Sequence, residues 1–538
     1  MRKKSAALIL AIVMACAMLA GCSDKEQSAP TTAEAGQNTE TTAVTGGETK
    51  DAGTAEEPVE ITVMSIDTNG NALGVDGSEK VKEMILEHTG VKADITWVAS
   101  GSYEDKLGVT LLDKENLPMI LTINGNLNTT IVSAAKAGAF YDLNEYIFDG
   151  QKYPNLSQAN KEVLKSLTVD GQLIGIYRAR PIGRNGMAYR KDWADKLGIG
   201  QPATIDEFYD MCYQFTYNDP DGNGKNDTYG ICLCSFTGPF DVMQTWFGAG
   251  NDWVEKDGEM IPNFYLDEYK EALEFFRKMY EEGLVYKDWA VRETSGWRDG
   301  VNKGECGVWL DVMDGATKIN DYFSQNSIPG VNGEEMAYME YAGGVAKSKG
   351  EEAKTLATSG MGGFFVITKA ADTPEKLEAC LTFLDKMNDE EMLILANYGL
   401  EDVQWEKDPE TGNAVILDAG INSAEKANNG MQQLLCFIPY RGPQTISVEM
   451  TPWAVKESEV VEANEKIAVY NPAVGYLANS ATFTSNGANL DTIIENARTQ
   501  YICGQIDWDA FLSAVKDWEN QGGTAVIEEV NSQYKAEQ

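Results

Sequence analysis

Val59-Glu60-Ile61-Thr62-Val63-Met64 alternates apolar and polar residues, the pattern of a strand with one buried face. It runs into Asp67-Thr68-Asn69-Gly70, a polar loop of turn-forming residues. A helix is expected from Ser78 to Thr89, with Val81, Met84, Ile85 and His88 on one face and Gly90 as its stop. A second strand is expected over Lys92 to Val98. Strand, helix and strand in this order predict a parallel βαβ start, and with it an α/β protein.

On the amino-terminal side of this unit lies Ser23 to Pro58, rich in Thr, Ala, Gly, Glu and Ser and without an aromatic residue. Such a stretch cannot bury a core and reads as a flexible acidic tether, with a typical reach of about 30–35 Å. Before it, Arg2, Lys3 and Lys4 precede an apolar run from Ala6 to Ala20. That run is too short to cross a ~30 Å hydrocarbon core comfortably and has the form of an export signal, residues 1–21. The signal closes on Leu19-Ala20-Gly21-Cys22. These four residues resemble a bacterial lipobox, which implies acylation of Cys22 as the first residue of the mature chain. Two acyl chains suffice for stable anchoring. No later segment approaches 18 uninterrupted apolar residues, so Cys22 is the only membrane attachment expected.

The chain has 538 residues, and the portion beyond the tether is long enough for two or three domains' worth of core. Hydrophobic residues make up 43 % and aromatics 9 %, which places it among globular proteins. Acidic residues number 83 against 44 basic ones, a net charge of −39. Loss of Arg2, Lys3 and Lys4 with the signal makes the mature chain more negative still. Such a charge repels nucleic acid and anionic lipid and suits a soluble extracellular protein. It also argues against a strongly anionic ligand, unless cations are concentrated locally. Beyond Cys16 and Cys22, the cysteines are Cys212, Cys232, Cys234, Cys306, Cys380, Cys436 and Cys503. Their odd number and scattered spacing do not make a disulfide framework, and they read as small buried hydrophobes.

Further along, Leu117 to Ile123 reads as a strand ending at Asn124-Gly125-Asn126. Thr204-Ile205-Asp206-Glu207 is a capping box opening a helix striped by Phe208, Met211, Cys212 and Phe215. Gly304 to Val312 and Phe364 to Thr368 read as strands, the latter feeding a helix begun by Thr373-Pro374. The final hundred residues read as mostly helical.

The order of these landmarks resembles the extracellular solute-binding proteins of bacterial ABC importers, in the group that binds oligosaccharides. The resemblance spans about residues 58–538. It is carried by Tyr189-Arg190-Lys191-Asp192-Trp193 through Ile199, then Pro202 to Phe208, by Gly304-Glu305-Cys306-Gly307-Val308-Trp309, and by Thr368 to Leu384 with Tyr398-Gly399-Leu400-Glu401. Asp402 stands where many members have Gly. The resemblance implies a two-lobed, periplasmic-binding-protein-like (type II) α/β fold with hinge strands and an interlobe cleft. By analogy the first lobe takes 58–175 with 369–420, and the second 176–365 with 421–538. It implies a monomeric receptor, held at the outer face of a Gram-positive-type cell membrane by its lipid alone, that hands its ligand to ABC transporter permease subunits.

Asp219-Pro220-Asp221-Gly222-Asn223-Gly224-Lys225-Asn226-Asp227 carries the sharpest local chemistry. Asp219, Asp221 and Asn223 occupy positions 1, 3 and 5 of an EF-hand-type loop, Lys225 offers a backbone carbonyl at 7, and Asp227 stands at 9. Gly224 makes the sharp turn. Position 12 is Gly230 and not Glu, so the usual bidentate ligand is missing or comes from elsewhere. One loop without a paired helix unit points to structural calcium rather than a sensor.

Sugars offer apolar ring faces and in-plane hydroxyls, so their receptor needs aromatic platforms and planar hydrogen-bonding side chains. The candidates near strand ends or the hinge are Asp67, Asn69, Asn124, Arg180, Trp246, Trp297, Trp309, Asp311 and Tyr440. An extracellular glycan-cleaving enzyme and a calcium-dependent adhesin are the competing readings. Against the first stand a single histidine, His88 in a helix's last turn, and the absence of Gly-x-Ser-x-Gly and His-Glu-x-x-His motifs. Against the second, the acidic loop occurs once, where a dockerin would need it twice.

Overall fold

Two mixed sheets, each with its own apolar core, dominate the computed structural model, beside four two-stranded ribbons among its described residues, which are 57–67, 78–331, 333, 336–417, 431–438 and 450–538. The tether, Asn69 and Tyr440 lie outside the described residues, as do Cys22 and the signal.

The expected βαβ unit opens the first sheet. Strand β1 (Val59–Asp67) pairs in parallel along its whole length with β2 (Val91–Ala99), and the helix Ser78–Thr89 joins them. Strand β3 (Ile120–Asn124) pairs in parallel on the other side of β1. His88, in the last turn of that helix, is structural: its Nε2 lies 2.9 Å from Asp389 and its Nδ1 3.2 Å from Glu391.

Strand β4 (Ile176–Ala179) and strand β9 (Met361–Ile367) complete this sheet, in the order β2-β1-β3-β9-β4. Strand β9 is antiparallel to both β3 and β4, so β4 runs in the direction of β1 and β3. The second sheet has the order β8-β5-β7-β6, from β5 (Asn185–Arg190), β6 (Tyr229–Ile231), β7 (Cys306–Val312) and β8 (Met339–Gly343). The carboxyl-terminal helices Ala481–Ile502, Trp508–Trp518 and Thr524–Glu537 pack on its core.

The expected lobe boundaries shift. β4 and β9 begin at Ile176 and Met361 and belong to the first sheet, and Met431, Leu434, Leu435, Cys436 and Ile438 pack in the first core. The chain therefore changes sheets at 180–184, at 344–360, and between Ile438 and Pro452. The strand period marks an element as a strand, but it does not say which sheet the strand joins.

The family-like phrase at 189–199 is a packing device. Arg190 donates to both carboxylate oxygens of Asp192, at 2.8 and 2.7 Å, and its guanidinium lies 4.8 Å from the Trp193 ring and 5.2 Å from that of Phe323. Asp192 also accepts from the backbone N–H of Val331 at 3.1 Å. A planar, always-charged group suits this sandwich better than lysine would. Thr204 and Thr373 cap their helices as expected, each accepting a backbone N–H at 3.3 Å. The seven described cysteines are free thiols, and all but the half-buried Cys503 are buried. Among the described residues no helix is long and apolar enough to cross a membrane.

Candidate ligand cleft and acidic loop

The connection 180–184 leaves the carboxyl end of β4 and enters β5 at Asn185, which pairs with Val312 at the carboxyl end of β7. The carboxyl edges of both sheets therefore meet at the crossover. In open α/β sheets this is where ligands bind.

On the first edge stand Asp67, the half-buried last residue of β1, Asn124, the exposed last residue of β3, and Arg180, exposed just past β4. Three sequence candidates from the first sheet thus share one edge. Behind them, Tyr103 donates to the carbonyl of Thr122 at 2.6 Å, and Ser65 to that of Gln433 at 3.2 Å.

The second edge carries an aromatic series running from core to solvent. Trp309 on β7 is 3 % exposed and donates to the carbonyl of Val312 at 3.0 Å. Its ring lies 4.4 Å from that of Trp297, which is 7 % exposed and donates to the carbonyl of Cys232 at 2.9 Å. Phe236 meets Trp297 edge-on at 5.9 Å and is 48 % exposed, just beyond the carboxyl end of β6. Phe236 is the exposed aromatic ring at this edge that the sequence reading missed. Trp309 and Trp297 support it from below and do not present their own faces. Trp246 is a correction: it lies in the second core, 1 % exposed and edge-on to Phe208 at 5.1 Å.

Asp311 shares the strand face of Trp309 and is half-buried. Burial pushes its carboxyl up to about 6, with Asp314 adding to the rise and Arg184 opposing it. Burial opposes ionisation of Asp314 too, yet Lys318 and Arg184 hold its carboxyl below the usual range. Arg184 donates to Asp314 at 2.7 and 3.1 Å, clamping the crossover to the second sheet. From the second lobe, the helix Ala481–Ile502 brings its first turn to the first lobe, where Thr129 donates to the carbonyl of Thr484 at 2.9 Å.

A separate cavity of about 1140 Å³ is lined from both lobes by Val163, Lys165, Thr358, Asn251, Tyr470 and Asn479, among others. It shares no lining residue with either carboxyl edge, so its size does not make it the ligand site.

In the acidic loop, Gly224 takes a φ of +76° and its N–H donates to both oxygens of Asp219, at 3.1 and 3.2 Å. The Asn223 side-chain amide donates to Asp221 at 2.6 Å and to Asp227 at 3.0 Å. Burial raises the Asp221 carboxyl above its ordinary range, and Asp219 and Asp227 crowding it add to the rise. The three carboxylates therefore lie near one another in the loop, bridged in part by the Asn223 amide. Thr228 is not a ligand: its hydroxyl is buried and donates to the carbonyl of Phe215 at 2.7 Å. Among the described residues no group of three or more His, Cys, Asp or Glu side chains already has the geometry of a metal site. The Asn223 amide would have to turn its oxygen inward.

Two lobes joined by crossing strands, with strand ends turned to a shared cleft, define a two-lobed binding-protein fold. The chain belongs to the bacterial extracellular solute-binding proteins, whose family model matches residues 74–385. It is 34 % identical to Lipoprotein LipO of Bacillus subtilis, over 100 % of this chain and 99 % of that one. It is 31 % identical to the polygalacturonan/rhamnogalacturonan-binding protein YtcQ of the same organism, over 85 % and 88 % respectively. Among solved structures, an HMO-binding, ABC-transporter-associated solute-binding protein of Bifidobacterium longum infantis shares the fold, with a TM-score of 0.64. The two chains are 16 % identical, over 89 % of this one and 99 % of that one.

Proposed function

We propose that this chain is a lipid-anchored extracellular receptor that captures an oligosaccharide between its lobes and delivers it to an ABC transporter permease. The observation that carries the reading is the meeting of two carboxyl strand edges, one polar (Asp67, Asn124, Arg180) and one aromatic (Phe236 over Trp297). A sugar ring would stack on Phe236 while its hydroxyls meet the polar edge. Capture and release need no covalent chemistry. A thermal-shift screen over oligosaccharides tests it, since ligand at 100 times its Kd adds about 2.7 kcal/mol of stability. A clear rise in melting temperature with one glycan class supports the receptor. No rise with any glycan removes it.

The acidic loop would hold calcium through Asp219, Asp221, Asn223, Asp227 and the carbonyl of Lys225, and the ion would neutralise three crowded carboxylates. Chelator is expected to lower the melting temperature by several degrees, with recovery on calcium addition and not on magnesium. Equal melting with and without chelator would remove the ion from the account.

Acylated Cys22 would keep the receptor within tether reach of its permease. Cys22→Ala is expected to leave ligand affinity unchanged and to shed the protein into the medium, read by immunoblot of cell and medium fractions. Full retention of the variant on cells would contradict the anchor.

A further inference from the structure

We propose that Arg178 and Arg180 form a carboxylate-binding subsite at the carboxyl edge of the first sheet, so that the glycan captured carries uronic acid residues. The inference rests on the receptor reading and specifies its ligand class.

The described arginines divide sharply. Arg184, Arg190, Arg277, Arg292 and Arg498 each pair with a carboxylate within 2.8 Å. In a chain with a net charge of −39, such pairing is what chance alone would favour. Arg178, Arg180 and the exposed Arg298 have no carboxylate partner among the described residues. Two of these three stand two residues apart at the end of β4, on one side of the strand.

Arg178 is only 4 % exposed, and its one described hydrogen-bond partner is the carbonyl of Gln432, at 3.1 Å from Nη2. Its buried Nε has no hydrogen-bond partner among the described residues. A guanidinium out of water without an anion is costly, and the neighbouring Arg180 adds repulsion. Burial and then Arg180 push the Arg178 guanidinium down to about 10. A neutral donor would serve to hold the Gln432 carbonyl, so that contact does not explain the charge. Arg180 lies over Gly362: a side chain at 362 would place its Cβ 2.9 Å from the Arg180 Nε. Absence of a side chain there leaves room for the guanidinium over β9. The result is a local positive site in a strongly negative protein. A carboxylate is the planar anion that a guanidinium fork fits, and on an oligosaccharide the group that supplies it is a uronic acid.

Titration calorimetry with the mature protein tests this, using oligomers of galacturonate, guluronate, mannuronate and glucuronate, each beside its methyl ester. The expected result is at least one acidic oligomer bound tenfold or more tightly than its ester. Arg180→Gln is expected to weaken the acid on the order of 10–100-fold and the ester by much less, so that the preference for acid over ester collapses. Arg180 is exposed, so the variant should keep its melting temperature, and the acid-to-ester ratio in the unsubstituted protein tests the subsite independently. Esters bound as tightly as acids, or only neutral oligosaccharides bound, would overturn the subsite and leave the receptor reading standing. Binding of no oligosaccharide of any kind would overturn both.

Discussion

Arg498→Met is expected to destabilise the protein by about 3–5 kcal/mol, measured by chemical denaturation of the second lobe. Arg498 is 6 % exposed on the helix Ala481–Ile502, and its Nη1 donates to Asp241 at 2.6 Å. Its Nη2 donates to the Thr237 hydroxyl at 2.6 Å, and the guanidinium lies 4.7 Å from the Phe240 ring. Methionine fills much of the same volume, so the loss comes chiefly from stranding a carboxylate. The double variant Arg498→Met/Asp241→Leu removes both charges and is expected to recover most of the loss. A loss below about 1 kcal/mol in the single variant, or no recovery in the double, would contradict this reading. Thr237 follows Phe236 directly, so the same ion pair fixes the loop that carries the platform.

Phe236→Ala is expected to weaken ligand binding on the order of 10–100-fold, with little change in melting temperature. A sugar covering about 100 Å² of the ring would remove that area from water at about 25 cal/mol per Å², or ~2.5 kcal/mol. The ring is half exposed and among the described aromatic rings meets only Trp297, so its loss opens no cavity in the core. Unchanged affinity in calorimetry would move the platform elsewhere on the cleft. A large fall in melting temperature would show Phe236 to be a core residue.

The opening βαβ unit, the threonine-capped helices and the acidic loop were legible because each is fixed by neighbours close in sequence. The helix expected over Ser78 to Thr89 forms with those ends, and Thr204 and Thr373 cap as read. Tryptophans were harder. Trp246, Trp297 and Trp309 all stand near strand or helix ends, yet tertiary packing decides which faces solvent, and the core claims all three. Phe236 had a signal: it follows the apolar run Ile231 to Cys234 and precedes Pro239, which places it on a strand-to-helix turn. Arg178 had one too, as a charge inside the apolar strand Ile176–Ala179. Its meaning comes from the long-range contact with Gln432, which no local pattern encodes.

Capture and release of an unchanged ligand is tested most directly by one measurement: calorimetric titration of the mature protein with the oligosaccharide that raises its melting temperature most, followed by mass spectrometry of the recovered sugar. One sugar bound per chain and recovered intact is the predicted result. Shortened or otherwise converted sugar, or heat without saturation, would contradict the receptor.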